Sequence, residues 1–268
     1  MAFTRRLLVG PLVAVTVALT ASSSTGAGSP SPELDGLGHW QLVFADDFSG
    51  DILDGAKWST SYPWGSTADW TPSLNYRAYN VIVRTGSVKL RALHDSLDGR
   101  PYSSGMLCSA GKFAFRYGYV EVRAKIPAGR GLWPAFWLLP ASGDWPPEID
   151  VMENIGSSPN IQHMHYHYVD RLGATRDSGG SWVGPDLSTD FHTYAVEWSP
   201  AAIRWYVDGT ERRSSYAEPS TIASEPMYLI ANMQIGGTWP GDPDASTPFP
   251  SEFKIDYVRV WQPTGAAP

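Results

Sequence analysis

Three carboxylates, Glu148, Asp150 and Glu153, fall within the stretch WPPEIDVMENIG (145–156), separated by apolar residues. An ionised carboxyl is costly to bury unless it is partnered, so acids in so apolar a stretch call for a reason. Pro146 and Pro147 stand before EIDVME and Gly156 after it, so it reads as a short strand between turns. On a strand Glu148 and Asp150 share one face, while Ile149 and Val151 face the core. Strict alternation would place Met152, not Glu153, beside them. One extra residue, a β-bulge, returns Glu153 to the face of Glu148. The two glutamates then lie four strand steps apart, roughly 13 Å between α-carbons. Leaning together, their carboxyls approach the roughly 5–5.5 Å at which one attacks an anomeric carbon while the other protonates the departing oxygen. Crowded acids have unlike proton affinities, which such a division of roles needs. Spacing alone also leaves open three solvated surface acids or a calcium or magnesium site.

The surroundings bear on that choice. Trp133 and Trp137 lie upstream in GRGLWPAFWLLP (129–140), and Trp145 abuts the acids. Sugar rings present apolar C–H faces that stack on aromatic planes, although Trp137, in AFWLL, is equally a core residue. Downstream, HMHYHY (163–168) alternates His163, His165 and His167, so on a strand all three imidazoles point one way. Three such imidazoles could hold zinc or copper. Cys108, the only cysteine, sits in SGMLCSAGKFAF and reads as a buried structural thiol rather than a nucleophile.

Strands must position these groups. YVEVRAKI (119–126) puts Val120, Val122, Ala124 and Ile126 on one face and Glu121, Arg123 and Lys125 on the other. TYAVEW (193–198), IRWYVDG (203–209) and KIDYVRVW (254–261) alternate likewise, and VDGT is a hairpin-turn signal. Helical periodicity is nearly absent. Many short strands between turns in one domain predict an antiparallel sandwich or barrel. With 268 residues, 43% of them hydrophobic, the chain can build a sizeable core without disulfides. Its net charge of −7 argues against nucleic acid or an anionic membrane as partner. The N-terminal stretch has Arg5 and Arg6, an apolar run from Leu7 to Ala21, then small residues. It reads as a secretory signal over 1–27, cut after Ala27, by either the general or the twin-arginine route. A flexible Ser/Gly/Pro lead over 28–38 and one domain over 39–263 follow, and the mature protein is expected outside the cell, free of the membrane and monomeric.

The stretches GKFAFRYGYVEVRAKIPAGRGLWPAFWLLP, WPPEIDVMENIG and ANMQIGGTWPGDPDASTPFPSEFKIDYVRVWQ together resemble glycoside hydrolase family 16, laminarinase type, from about Trp40 to Trp261. The resemblance implies a concanavalin-like β-jelly-roll sandwich of two antiparallel sheets with a concave substrate cleft. It implies a retaining endo-β-glucanase that cleaves β-1,3 or mixed β-1,3/1,4 glucan by double displacement. By position Glu148 is the nucleophile, Glu153 the acid/base and Asp150 the helper. Arg77 in NYRAYNV, Trp239 in GGTWPG and His167, followed by Tyr168, resemble sugar-contacting residues, joining Trp133, Trp137 and Trp145. Pro147, where the family often has glycine, is a departure, and His165 is another. No cofactor is implied for catalysis. Asp47, Gly86 and Asp256 stand where the family often holds a structural calcium, although Asp256 also reads as an ordinary strand-face acid. The alternatives are the same fold acting on agar, carrageenan or galactan, a transglycosylase, and a non-catalytic lectin, against which the intact acid pair argues.

Overall fold

The computed structural model describes residues 40–215 and 217–264, which lie within one compact unit, Ser31–Pro268. The expected signal and lead lie outside these residues. The chain forms β1 (Trp40–Asp46), β2 (Leu74–Tyr76), β3 (Val81–Val83), β4 (Val88–His94), β5 (Tyr102–Ser104), β6 (Met106–Cys108), β7 (Gly118–Lys125), β8 (Leu132–Pro140) and β9 (Glu148–Glu153). There follow β10 (Ile161–Val169), β11 (Thr175–Asp177), β12 (Gly180–Val183), β13 (His192–Trp198), β14 (Ile203–Val207), β15 (Thr210–Ser214), β16 (Met227–Ile235) and β17 (Ser251–Pro263). One sheet runs β15-β14-β13-β7-β17-β4-β5-β2, with β1 beside β17 and β3 beside β4. The other runs β11-β10-β9-β8-β16-β6, with β12 beside β10. Pairing is antiparallel except between β2 and β5. The jelly-roll sandwich expected from the sequence is therefore the fold. Among the described residues no helix is long and apolar enough to cross a membrane.

The alternating runs become the core faces. In β7 Val120, Val122 and Ala124 are fully buried, while Glu121, Arg123 and Lys125 are half-buried on the outer face. From β9, Ile149, Val151 and Met152 fill the same interlayer space, each contributing about 1.5–3 kcal/mol through burial. VDGT makes the β14–β15 hairpin, with Asp208 and Gly209 both at positive φ, as a type I′ turn demands. One polar tie crosses the layers: the Trp205 indole N–H of β14 donates to the Asp150 carbonyl at 2.8 Å. It anchors the backbone of β9 where the acids project.

Candidate active site

The β9 register establishes the bulge. Against β10, Glu148 pairs with His167, Asp150 with His165 and Glu153 with His163, so three residues of β9 span two of β10 between Asp150 and Glu153. Against β8, Asp150 lies opposite Trp137 and Met152 opposite Phe136, which leaves Val151 as the extra residue. The bulge turns Val151 and Met152 together into the core and Glu153 outward to join Glu148 and Asp150. The three acids face a cleft of about 1490 Å³.

Each acid has its own electrostatic setting. Glu148 accepts the Trp145 indole N–H at 2.7 Å and lies 3.9 Å from His167 Nε2. Burial raises its proton affinity; His167, the Trp145 N–H and a hydrogen bond from Asp150 offset that rise. Asp150 is 3% exposed, its Oδ2 lacks a hydrogen-bond partner, and His167 Nε2 stands 3.4 Å from it. Burial first, then the neighbouring Glu148, pushes its pKa well above the usual carboxylate range. Glu153 is 8% exposed and accepts the Trp133 indole N–H at 3.0 Å. Burial, then Asp150 and Glu148, raises it strongly, with the Trp133 bond opposing. All three acids thus bind protons more tightly than free carboxyls, Asp150 and Glu153 most strongly, and Glu148 is the acid most ready to ionise.

Trp133, Trp137, Trp145, His167 and Trp239 all line the cleft. Trp137 is both of the things its sequence allowed: it is buried in the cleft floor, and its N–H donates to Asn232 at 3.0 Å. Asn232 in turn receives no freedom, since its amide donates to the hydroxyls of Tyr62 and Tyr76. Trp239 packs edge-on against Trp133 and His163. Arg77 is a correction. It does not line the cleft, and its guanidinium is taken by an ion pair with Asp98.

Sequence reading missed part of the wall. Tyr62, Trp64 and Trp70 come from the turn-rich stretch SYPWGSTADWTP (61–72), and Gln234 from β16. Trp64 stacks on Tyr62 at 4.6 Å and Trp70 donates to Gln234 at 2.7 Å. The available signals were three aromatics in a segment with no strand pattern and the alternation of Asn232 with Gln234 in an apolar strand. Asp177, at the cleft's other side, hydrogen-bonds His165 Nδ1 at 3.0 Å.

Of the expected calcium donors, only Asp256 is committed to another side chain. Asp256 is the bulged residue between Ile255 and Tyr257, and its carboxylate is held by Arg123 at 2.6 Å. Asp47 is exposed and accepts the Ser49 N–H at 3.3 Å. Gly86 occupies the β3–β4 turn at positive φ. Asp47 keeps its second oxygen free and Gly86 could offer only its carbonyl, whereas Asp256 would have to leave Arg123 to join an ion.

Acids of unequal proton affinity in an aromatic-walled cleft across a β-sandwich define a glycan-cleaving class of protein. The sequence profile described as "Glycosyl hydrolases family 16" matches residues 73–259. The chain belongs to this family. It is 37% identical to a β-glucanase of Rhodothermus marinus over 260 residues, covering 87% of this chain and 88% of that one. It is 33% identical to glucan endo-1,3-β-glucosidase A1 of Niallia circulans, covering 88% of this chain but only 39% of that longer protein. Among solved structures, the endo-β-1,3-glucanase of Pyrococcus furiosus superposes with a TM-score of 0.71 at 34% identity, covering 83% of this chain and 94% of that one.

Proposed function

We propose that this protein is an exported, retaining endo-β-glucanase that hydrolyses β-1,3 and mixed β-1,3/1,4 glucan. The observation that carries the reading is the bulged register, which sets Glu148, Asp150 and Glu153 on one cleft face with Asp150 between the glutamates. Glu148, the acid most ready to ionise, attacks the anomeric carbon. Glu153, held protonated by burial and its acidic neighbours, donates its proton to the departing glycosidic oxygen. The bond from the anomeric carbon to that oxygen breaks, and a glycosyl ester forms on Glu148. Glu153, now ionised, takes a proton from water, which displaces Glu148 and restores the original anomeric configuration. Asp150 donates to Glu148 and holds it in place. Hydrolysis in this family needs no catalytic cofactor.

Shape and charge support the substrate class. The cleft lining draws on every strand of the second sheet from β6 and β16 to β11, with Trp64 and Trp70 added from the 61–72 loop. Such a groove suits internal cleavage of a long chain. Glu148, Asp150, Glu153, Asp144 and Asp177 line it against one lysine, Lys112, whose ammonium donates to the Trp58 carbonyl at 3.0 Å. An acidic groove disfavours sulfated polymers such as carrageenan and favours neutral glucan. Export rests on the leader before residue 28, and a monomer on the resemblance alone.

The test is reducing-end release and product sizing on laminarin, lichenan and agarose, with proton NMR of the first product's anomeric configuration and Glu148→Gln as control. Short β-configured oligosaccharides from laminarin or lichenan, absent with the variant, support the reading. Cleavage of agarose alone, α-configured first products, or full activity in the variant overturns it.

A further inference from the structure

His165 has no part in the mechanism above, yet it is held with care. It shares the cleft face of β10 with His167, and the two rings lie nearly parallel, 8° apart in plane with centroids 5.9 Å apart. Asp177 of β11 stands opposite His167 in the pairing, and its Oδ2 lies 3.0 Å from His165 Nδ1. A β-carbon on Gly179 would collide with both His165 Nδ1 and Asp177 Oδ2, so glycine there lets the β11–β12 turn close on the pair. One donor atom from each of His165, His167 and Asp177 falls within 4.8 Å of the other two.

We propose that His165, His167 and Asp177 form a binding site for a borderline divalent transition ion, with Zn²⁺ as the type case, and that its occupation blocks hydrolysis. Two imidazoles and a carboxylate are zinc or copper donors; calcium and magnesium take oxygen sets instead. Zinc bonds of about 2.0–2.2 Å in tetrahedral geometry set donor atoms roughly 3.3 Å apart. The His165–Asp177 pair already meets that spacing. His167 closes the remaining gap with a shift of roughly 1.5 Å, within reach of rotation about its Cβ–Cγ bond. The side chains are 22%, 26% and 43% exposed for His165, His167 and Asp177, so an ion reaches them from the cleft and water fills a fourth position. The ligands sit on two paired strands, so little backbone order has to be gained on binding.

Inhibition follows from the neighbours. His167 Nε2 lies 3.4 Å from Asp150 Oδ2 and 3.9 Å from Glu148 Oε1. An ion that recruits His167 removes that imidazole from the acids and places positive charge beside the carboxylate that must attack. The third imidazole stays outside the set: His163 packs edge-on against Trp239 at 4.8 Å.

The inhibition arm rests on the catalytic reading; the binding arm does not. Calorimetric titration of ZnCl₂ into EDTA-stripped protein is to be run on the wild type, His165→Gln and Asp177→Asn, with thermal melts to verify folding. Laminarin hydrolysis is read with and without zinc, each variant against its own zinc-free rate. One equivalent of zinc binds the wild type, Mg²⁺ in excess does not displace it, and each variant loses affinity by roughly tenfold or more. Zinc inhibits the wild type at lower concentration than either variant. No binding to the wild type, or unchanged affinity in both folded variants, overturns the proposal. Zinc binding that depends on His165 and Asp177, in a protein inactive on every glucan, keeps the site and sinks the catalytic reading instead.

Discussion

Replacing Glu153 by Gln should make the protein more stable at neutral pH while abolishing hydrolysis. Glu153 is 8% exposed, and burial with Asp150 and Glu148 raises its proton affinity strongly. A carboxyl whose folded pKa exceeds its unfolded one contributes stability that is full below the unfolded pKa, about 4.3, and is lost as pH rises through the folded value. If Glu153 keeps its proton through pH 7, the loss there relative to acid is at most about 1.36 × (7 − 4.3), or ~3.7 kcal/mol. Gln is neutral in both states and has nearly the same shape. Its amide oxygen still accepts the Trp133 N–H, which now reaches Glu153 at 3.0 Å. An amide N–H₂ left short of acceptors would forfeit part of that limit, so about 1–3 kcal/mol is expected. For a domain of this size that is a rise in Tm of about 2–12 °C.

The assay is urea or thermal unfolding of wild type and variant at pH 4 and pH 7. The variant's advantage should be present at pH 7 and nearly vanish at pH 4, where the wild-type carboxyl is protonated in both states. A variant no more stable than wild type at pH 7, or equally favoured at both pH values, would refute the placement of a strained, proton-holding acid at this position.

Three further outcomes follow from the same geometry. Trp133→Phe removes the donor that favours ionised Glu153, so the basic limb of kcat/KM against pH should move upward; a limb that stays or moves down contradicts the acid role. If protonated Asp150 donates to Glu148, Asp150→Asn keeps a donor and should retain roughly tenfold or more activity over Asp150→Ala; equal loss in the two would place the proton elsewhere. Cys108 is buried and its thiol is raised by desolvation, so Cys108→Ala should keep kcat/KM within about twofold while costing about 1 kcal/mol of stability; loss of turnover would make the thiol a participant.

What the sequence made legible was whatever a local period encodes. The faces of β7 and the β14–β15 hairpin follow from alternation and from Asp208–Gly209. The bulge in β9 was legible only because chemistry required Glu153 on the face of Glu148; the pairing then located the extra residue at Val151. Contacts made by distant segments left no such trace. The donation from Trp205 to the Asp150 carbonyl spans 55 residues, and that from Trp70 to Gln234 spans 164. Arg77 shows the converse: a position matching a pattern gave the residue but not Asp98, with which it pairs.

The division of labour among the acids has a geometric cause. Bringing three carboxyls to one face creates repulsion that full ionisation cannot sustain. Which one ionises is decided by exposure and donors. The Glu148 side chain is 19% exposed and receives the Trp145 N–H, with His167 nearby. Asp150, at 4% side-chain exposure, has an oxygen with no donor, and Glu153 has one donor at 3.0 Å. Negative charge is therefore favoured on Glu148, and the buried pair bind protons more tightly. Without the bulge, strict alternation over the same residues would put Met152 on the cleft face and point Glu153 into the apolar interlayer, leaving Glu148 only Asp150 beside it. The bulge supplies both the second glutamate and the crowding that makes the two unlike.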